Sequence, residues 1–326
     1  MWTLASIILA MASTPALAEP ITITAKPIAS FERANPERTE FGALTFRGGL
    51  ELRGSDRSFG GYSGLRVEAD GSRFRALSDR ATWLEGRIVY DGTRPIGIED
   101  ASIAEVLDAK GASLVGTSRG DTEALEVRGS TAWVTTEGVP QLLRFDFGAN
   151  NANPRGFLTI RLPKGMTAMP SNAGLEALAI VPDGQPRAGS FLMLGEDPSG
   201  KDGNHPAWLI PGKGGFAETL SLREHDGFAV TDATFLPGGD LVVLQRKYRA
   251  PLLSIRIRRI AAKDVAPGAV LDGPLLFEAN LSQEIDNLEA ISATKAADGT
   301  TVLTLLSDDN FNPFQRTILL QFGLKE

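Results

Sequence analysis

The chain has 326 residues, of which 42% are apolar and 22% charged, the balance of an ordinary folded protein. Its net charge of −7 leaves no basic excess to neutralise phosphates, which disfavours nucleic acid and an anionic membrane surface as partners. With no cysteine it has neither disulfides nor a lipidated Cys anchor, so packing and ring closure must supply its stability.

Met1 to Ala18 reads as a leader. An apolar run from Leu4 to Ala12 leads to the small-x-small signal Ala16-Leu17-Ala18, followed by Glu19-Pro20. No Lys or Arg precedes the run, which is too short to span a bilayer, and no later segment reaches that length. Cleavage after Ala18 and export to a bacterial periplasm or the medium are expected, with residues 19–326 as a single domain.

One local pattern then recurs about five times: a small or acidic residue, an apolar strand, a turn, a second strand, and a polar cluster at its end. The first copy is Ser63-Gly64-Leu65-Arg66-Val67, a turn at Asp70-Gly71, then Phe74 to Leu77 ending in Ser78-Asp79-Arg80. Glu123 to Val127, then Ala132-Trp133-Val134 and Thr136-Glu137, form the second. The third pairs Glu176 to Ile180 with Phe191 to Leu194 and closes on Gly195-Glu196-Asp197. Asp232 to Leu236 turns at Gly238-Gly239 into Leu241 to Leu244 and Gln245-Arg246. Last come Glu289 to Ser292, a turn at Asp298-Gly299, Val302 to Leu306, and Ser307-Asp308-Asp309.

The copy starts lie 53 to 60 residues apart, and each interval has room for two further strands, such as Trp83 to Tyr90 and Ile98 to Val106 in the first. Units of four antiparallel strands at this period predict an all-β fold, a β-propeller, which leaves only short protected edges. A β-sandwich with coincidental turns is the competing reading. The last copy supplies its first two strands and Thr317 to Phe322, so an N-terminal strand is needed to complete it; Ile21 to Ile28 and Phe41 to Leu52 are available. Five blades closed by that strand are favoured over six. The run Arg256-Ile257-Arg258-Arg259 is read as one solvated face of an outer strand.

Familiar catalytic signatures are missing. Gly61-Tyr62-Ser63-Gly64 has the wrong spacing for a nucleophile elbow, and no phosphate-cradling glycine loop occurs. Two histidines, His205 and His225, are too few for a His-based metal cluster. His205 is read as a loop residue open to a functional role, His225 as part of a polar turn.

The carboxylates are more informative. Glu123, Glu176, Asp232 and Glu289 head the first strands, while Asp79, Glu137, Glu196, Asp197, Asp308 and Asp309 close the second ones. Antiparallel pairing brings both sets to one rim, with Arg80, Arg246, Lys247 and Arg316 interleaved. Such an oxygen-rich funnel suits calcium, and Asp308-Asp309-Asn310 with Asn312, and Glu196-Asp197-Pro198-Ser199, are the best ligand segments. Equally, acids repeated at every blade fit a role in stitching blades together through hydrogen bonds.

Asn287-Leu288-Glu289-Ala290-Ile291, Ser307 to Phe311 and Gln315 to Leu320 resemble the phytase-like family, "esterase-like activity of phytase", of exported bacterial proteins. Gly60 to Leu65 and Ala76 to Arg80 resemble its opening blade, so that the likeness spans roughly residues 55 to 323. What the resemblance implies is a propeller that hydrolyses phosphoesters or esters, with calcium as cofactor. Asp79, Glu196, Asp197, Asp308 and Asp309 would hold the metal, Glu176 or Glu289 would orient water, and Arg80, Arg246 and Arg316 would bind phosphate. The basic phosphate-binding cluster of propeller phytases has no counterpart here, which argues against phytate itself. The partner expected is a small-molecule phosphate ester or other ester, and the protein a monomer. The alternative is a non-catalytic periplasmic binding or scaffolding propeller whose acidic rim meets a cationic ligand or protein.

Overall fold

Apolar residues follow one another without a break in the inner strands, as in Leu241-Val242-Val243-Leu244, because both faces of each sheet are buried. Leu241 and Val243 pack on one side of their sheet, Val242 and Leu244 on the other. A computed structural model describes residues 18–148, 154–160, 162–163, 166, 174–200 and 202–325. The leader, apart from Ala18, lies outside the described residues.

The described strands form five sheets, each a blade. The inner strands are Tyr62–Val67, Thr122–Arg128, Leu175–Ile180, Ala229–Phe235 and Leu288–Lys295, and each begins its own blade. Each inner strand contacts the next in sequence, and the last contacts the first, so the sheets stand in a closed ring. This is the expected five-bladed β-propeller; Phe41 to Leu52 does not found a sixth blade. The core is correspondingly divided into five hydrophobic clusters, one in each gap between adjacent blades.

Blade 5 contains strands from both ends of the chain. Leu44–Gly54 pairs antiparallel with Thr317–Leu324, and Ile23–Ile28 adds outside it. The pairing shifts register at Gly48, and a Cβ on Gly49 would stand 2.7 Å from Leu320 Cδ2. Glycine is what lets the two strands close at that point.

The basic run does not lie on a solvated face. Arg256 is 1% exposed, with Nε donating to Gln245 Oε1 at 2.9 Å and Nη2 to the His225 carbonyl at 2.8 Å. Its guanidinium also stacks on Phe228, 3.9 Å from the ring centre. In the third strand of a propeller blade both faces meet neighbours, so the alternation that marks an exposed edge does not apply.

At the axis sits Arg66. Its guanidinium donates to Glu126 of blade 2 (3.2 Å), the Leu178 carbonyl of blade 3 (2.8 Å), Asp232 (3.0 Å) and the Ala233 carbonyl (3.0 Å) of blade 4, and the Ile291 carbonyl of blade 5 (3.0 Å). A further bond goes to its own Leu65 carbonyl at 2.7 Å. Burial alone would loosen its proton; Asp232 and Glu126 outweigh that and hold the charge more firmly than usual. Asp232 also accepts from the backbone N–H of Ile291 (2.9 Å) and Ala233 (2.7 Å). It was expected at the rim, but its register puts it on this axial arginine.

Replacing Arg66 by Met leaves Asp232 and Glu126 as unpaired buried charges, a change that costs roughly 3–5 kcal/mol. Chemical denaturation should show that loss, and Arg66→Met combined with Asp232→Leu should recover part of it. A single variant as stable as the parent would rule out the axial lock.

Candidate functional site

Every inner strand enters its blade through a β-bulge at the same place. The register shifts over Ser63, Glu123, Glu176, Thr231 and Glu289 in blades 1 to 5, the shift in blade 2 also taking in Ala124. A bulge re-aims the extra residue, and three of the five are glutamates. Opposite each bulge the second strand passes through Ser78, Thr136, Gly195, Gln245 or Ser307, the ladder partners of the residue just before it. The residue that follows is Asp79, Glu137, Glu196, Arg246 or Asp308. Two tiers of side chains are thereby stacked at one mouth of the ring: Glu123, Glu176 and Glu289 at the bulges, and four acids with one arginine above.

The carboxyls sense one another. Burial, then Glu123, Glu196, Glu289 and Glu137, pushes the Glu176 carboxyl well above the usual range. Glu123 is raised by burial and by Glu289, Asp121, Glu137 and Asp79. Burial raises Asp79 to about 6, with Glu289 and Asp121 adding to the effect and Arg80 opposing it. Glu137 rises to about 7 through burial, Asp121 and Glu196. Glu196 also rises to about 7, burial outweighing Arg246. Asp308 reaches about 8 through burial and the charges of Glu289, Asp79 and Asp309. Arg246 is the cation inside: Nη1 donates to Glu289 Oε1 and Asn287 Oδ1, both at 2.5 Å, and Nη2 lies 3.6 Å from Glu196. Burial still raises Glu289 despite that partner.

Of the predicted site residues, Asp79, Glu176, Glu196, Glu289, Asp308 and Arg246 come together in this ring. Asp309 stands at its edge, its carboxylate accepting from the N–H of Gly61 (3.2 Å) and Phe311 (3.0 Å) and from Thr317 Oγ1 (3.0 Å). A Cβ on Gly61 would lie 2.3 Å from Asp79 Oδ1, so this backbone must be glycine to approach the acids. Arg80 is exposed, its guanidinium 3.5 Å from the centre of the Phe311 ring. Asp197 is exposed beside Glu196. Arg316 turns to other acids, donating to Glu284 (2.9 Å) and the Ile285 carbonyl (3.2 Å) with Asp286 at 3.5 Å. Lys247 donates to the Asp226 carbonyl. His205 is not in a loop: it opens the strand His205–Ile210, fully buried, with Nδ1 2.7 Å from the Glu196 carbonyl oxygen. It braces the backbone that carries Glu196.

Sequence reading missed Asp121. Asp121, Glu123 and Glu137 each offer an oxygen, and the three oxygens lie within 4.8 Å of one another. No repeat position announced it: Asp121 stands just before the first strand of its blade, and the bulge at Glu123 breaks the two-residue alternation that would have linked them.

A model of the family described as "Phytase-like: Esterase-like activity of phytase" matches residues 57–311. No curated protein matches the chain significantly. Among solved structures, an endo-arabinase from Bacteroides thetaiotaomicron is 12% identical at a TM-score of 0.48, covering 81% of this chain and 94% of its own. A luciferin-regenerating enzyme is 10% identical at a TM-score of 0.40, covering 81% and 92%. At these scores neither informs the chemistry here.

Carboxyls raised in the folded state penalise folding once they must ionise. Below the unfolded carboxyl range, near pH 4, both states hold the proton and no penalty exists; it grows as pH climbs and is complete above the folded values of about 6 to 8. In chelator, Asp308→Asn should therefore gain stability over the parent between about pH 4 and 8. Melting temperatures across that range test this, and a pH-independent difference would contradict it.

Proposed function

Because the chain belongs to the phytase-like family, we propose that it hydrolyses ester bonds, phosphoesters foremost, at the acidic mouth with a hard divalent cation such as calcium. The observation that carries this reading is the convergence of the Asp121, Glu123 and Glu137 oxygens within 4.8 Å. The donor set fits the ion: it is all oxygen and lies among further carboxylates, Glu289 and Asp79 among them. Asp121, Glu123 and Glu137 would hold the cation, with Asp79 and Asp308 next in the ring. Bound there, it would supply positive charge that polarises a phosphoryl or acyl oxygen.

The chain's own groups divide the remaining work. Arg246, clamped between Glu289 and Glu196, offers N–H donors to negative charge developing on the reacting oxygen. Glu289, in contact with Arg246, is the acceptor for a proton from attacking water. Glu176, whose carboxyl is pushed well above the usual range by burial and the neighbouring acids, is the donor to the leaving oxygen. Arg80 guides anions toward the mouth from its edge. Arg316, committed to Glu284 and Asp286, is left to support its loop. The protein would work as an exported monomer on a small-molecule ester; no helix among the described residues is long and apolar enough to cross a membrane.

Calcium added to chelator-treated protein starting at Glu19 should raise the melting temperature, by about 2.7 kcal/mol of stability at a hundredfold excess over Kd. Asp121→Asn and Glu137→Gln should each abolish most of that rise and the calcium-dependent turnover of 4-nitrophenyl phosphate. A calcium shift without turnover of phosphate or carboxylate esters would move the protein to the class of binding propellers.

A further inference from the structure

Blade 4 departs from the other four at the rim. Elsewhere the second strand ends near the ring position, but here Leu241–Arg249 continues its ladder with Lys247↔Ser254, Tyr248↔Leu253 and Arg249↔Leu252. Arg246 and Tyr248 are two residues apart on one strand and face the same side, so Tyr248 stands directly above the arginine of the ring. It is 66% exposed, an aromatic wall with nothing packed over it.

Across from it, the loop that carries Asp308 turns back on itself. Asn312 N–H bonds the Asp309 carbonyl at 2.7 Å, and Asn312 Oδ1 accepts from the Phe314 N–H at 3.0 Å. That turn lifts Phe314 to 92% exposure. Between these walls lies a groove of about 660 Å³ whose lining includes Tyr248, Phe314, Leu281, Arg246, Asn287 and Asn310. Its volume is that of a small-molecule pocket. Arg246 and Asn287 belong to the groove and to the acid ring at once, because Asn287 donates to Glu289 at 2.8 Å. The groove is an extension of the ring walled by aromatic side chains.

We infer that the Tyr248–Phe314 groove binds a flat aromatic group attached to the ester, and that the protein acts on aryl esters rather than polyanionic ones. A polyanion would need several cations. The ring provides Arg246, already paired; Arg80 stands at its edge against Phe311, Lys247 is spent on the Asp226 carbonyl, and Arg316 is turned toward Glu284. Flat surfaces are what the groove does offer: two aromatic rings, a guanidinium and four amides, the usual partners of an aromatic ligand, with the Asp286 carboxylate beside them. The assignment deepens the hydrolase reading and rests on it for the identity of the head group, but binding in the groove can be read separately.

The test titrates 4-nitrophenol, the aromatic portion alone, into chelator-treated protein, followed by ligand-observed magnetic resonance. Saturable binding is expected, weakened about five- to tenfold in Tyr248→Ala and in Phe314→Ala, as the loss of one stacking partner requires. Both side chains are exposed, and a melting curve confirms that each variant is folded. In calcium, the ratio of kcat/KM for 4-nitrophenyl phosphate over methyl phosphate should fall by the same factor. Binding of 4-nitrophenol that is absent, or equal in parent and variants, overturns the groove assignment even where phosphoester turnover is seen. Binding lost in the variants without any turnover upholds the groove as an aromatic site and removes the hydrolase reading.

Discussion

One guanidinium at the axis ties the ring together. Arg66 spends its N–H groups on blades 2, 3, 4 and 5 as well as its own, and it does so 7% exposed, where each unmade bond is expensive. Its fit depends on what the other inner strands place at the same depth. Glu126 answers its charge, while Ala179, Thr234 and Ser292 are small enough to leave it room. Ser292 also receives the backbone N–H of Val67 at 2.9 Å, so the small residues contribute bonds as well as space. The blades are thus registered against a common point, and each gap between them is then filled by its own apolar cluster.

That fixed axis is what permits so costly a mouth. Carboxyls drawn together by the bulges repel one another, and a flexible scaffold would relieve the repulsion by spreading. Here the strands carrying them are held by ladder bonds, by the axial arginine below and by side contacts such as His205 under Glu196. Burial, with the repulsion added to it, raises the carboxyl pKa values and places several groups near neutrality where proton transfer is efficient. The same repulsion favours any cation that enters. Affinity for a hard ion and acid–base competence thus both arise from acids gathered in one buried ring.

Much of this could be read from the sequence, for definite reasons. Turns at Asp70-Gly71, Gly238-Gly239 and Asp298-Gly299, each between two apolar strands, recur with a blade's spacing, so the fold was legible. The second-strand acids Asp79, Glu137, Glu196 and Asp308 were legible too, since they follow the apolar run by a fixed step. Asp232 was misplaced because a bulge adds one residue, and a one-residue slip turns a side chain to the other face. In blade 4 the bulged residue is Thr231, so its neighbour Asp232 looks to the axis. Arg66 gave no warning at all: its partners lie at positions 126, 178, 232, 233 and 291, and only the closed ring collects them. Arg256 misled through its alternation, a pattern that signals solvent only when a strand has an open side.

The pairing of Leu44–Gly54 with Thr317–Leu324 has a consequence in time. The four-stranded body of every other blade is assembled from neighbouring stretches of chain and can form as soon as those strands exist; only two-residue edge strands come from further off, Glu19–Pro20 in blade 1 and Val270–Leu271 in blade 3. Blade 5 cannot: its fourth strand is made near the beginning and its first three near the end, and ion pairs such as Arg33 with Glu284 span 251 residues. Until the last strand is released, Leu44–Gly54 waits as an unpaired edge and the gaps on either side of blade 5 stay open. Folding should therefore end in one late, cooperative closure, slow for its high contact order. A chain halted before Thr317 would present two adhesive edges besides the short protected ones of the intact ring, which makes truncation products of this protein a more serious aggregation hazard.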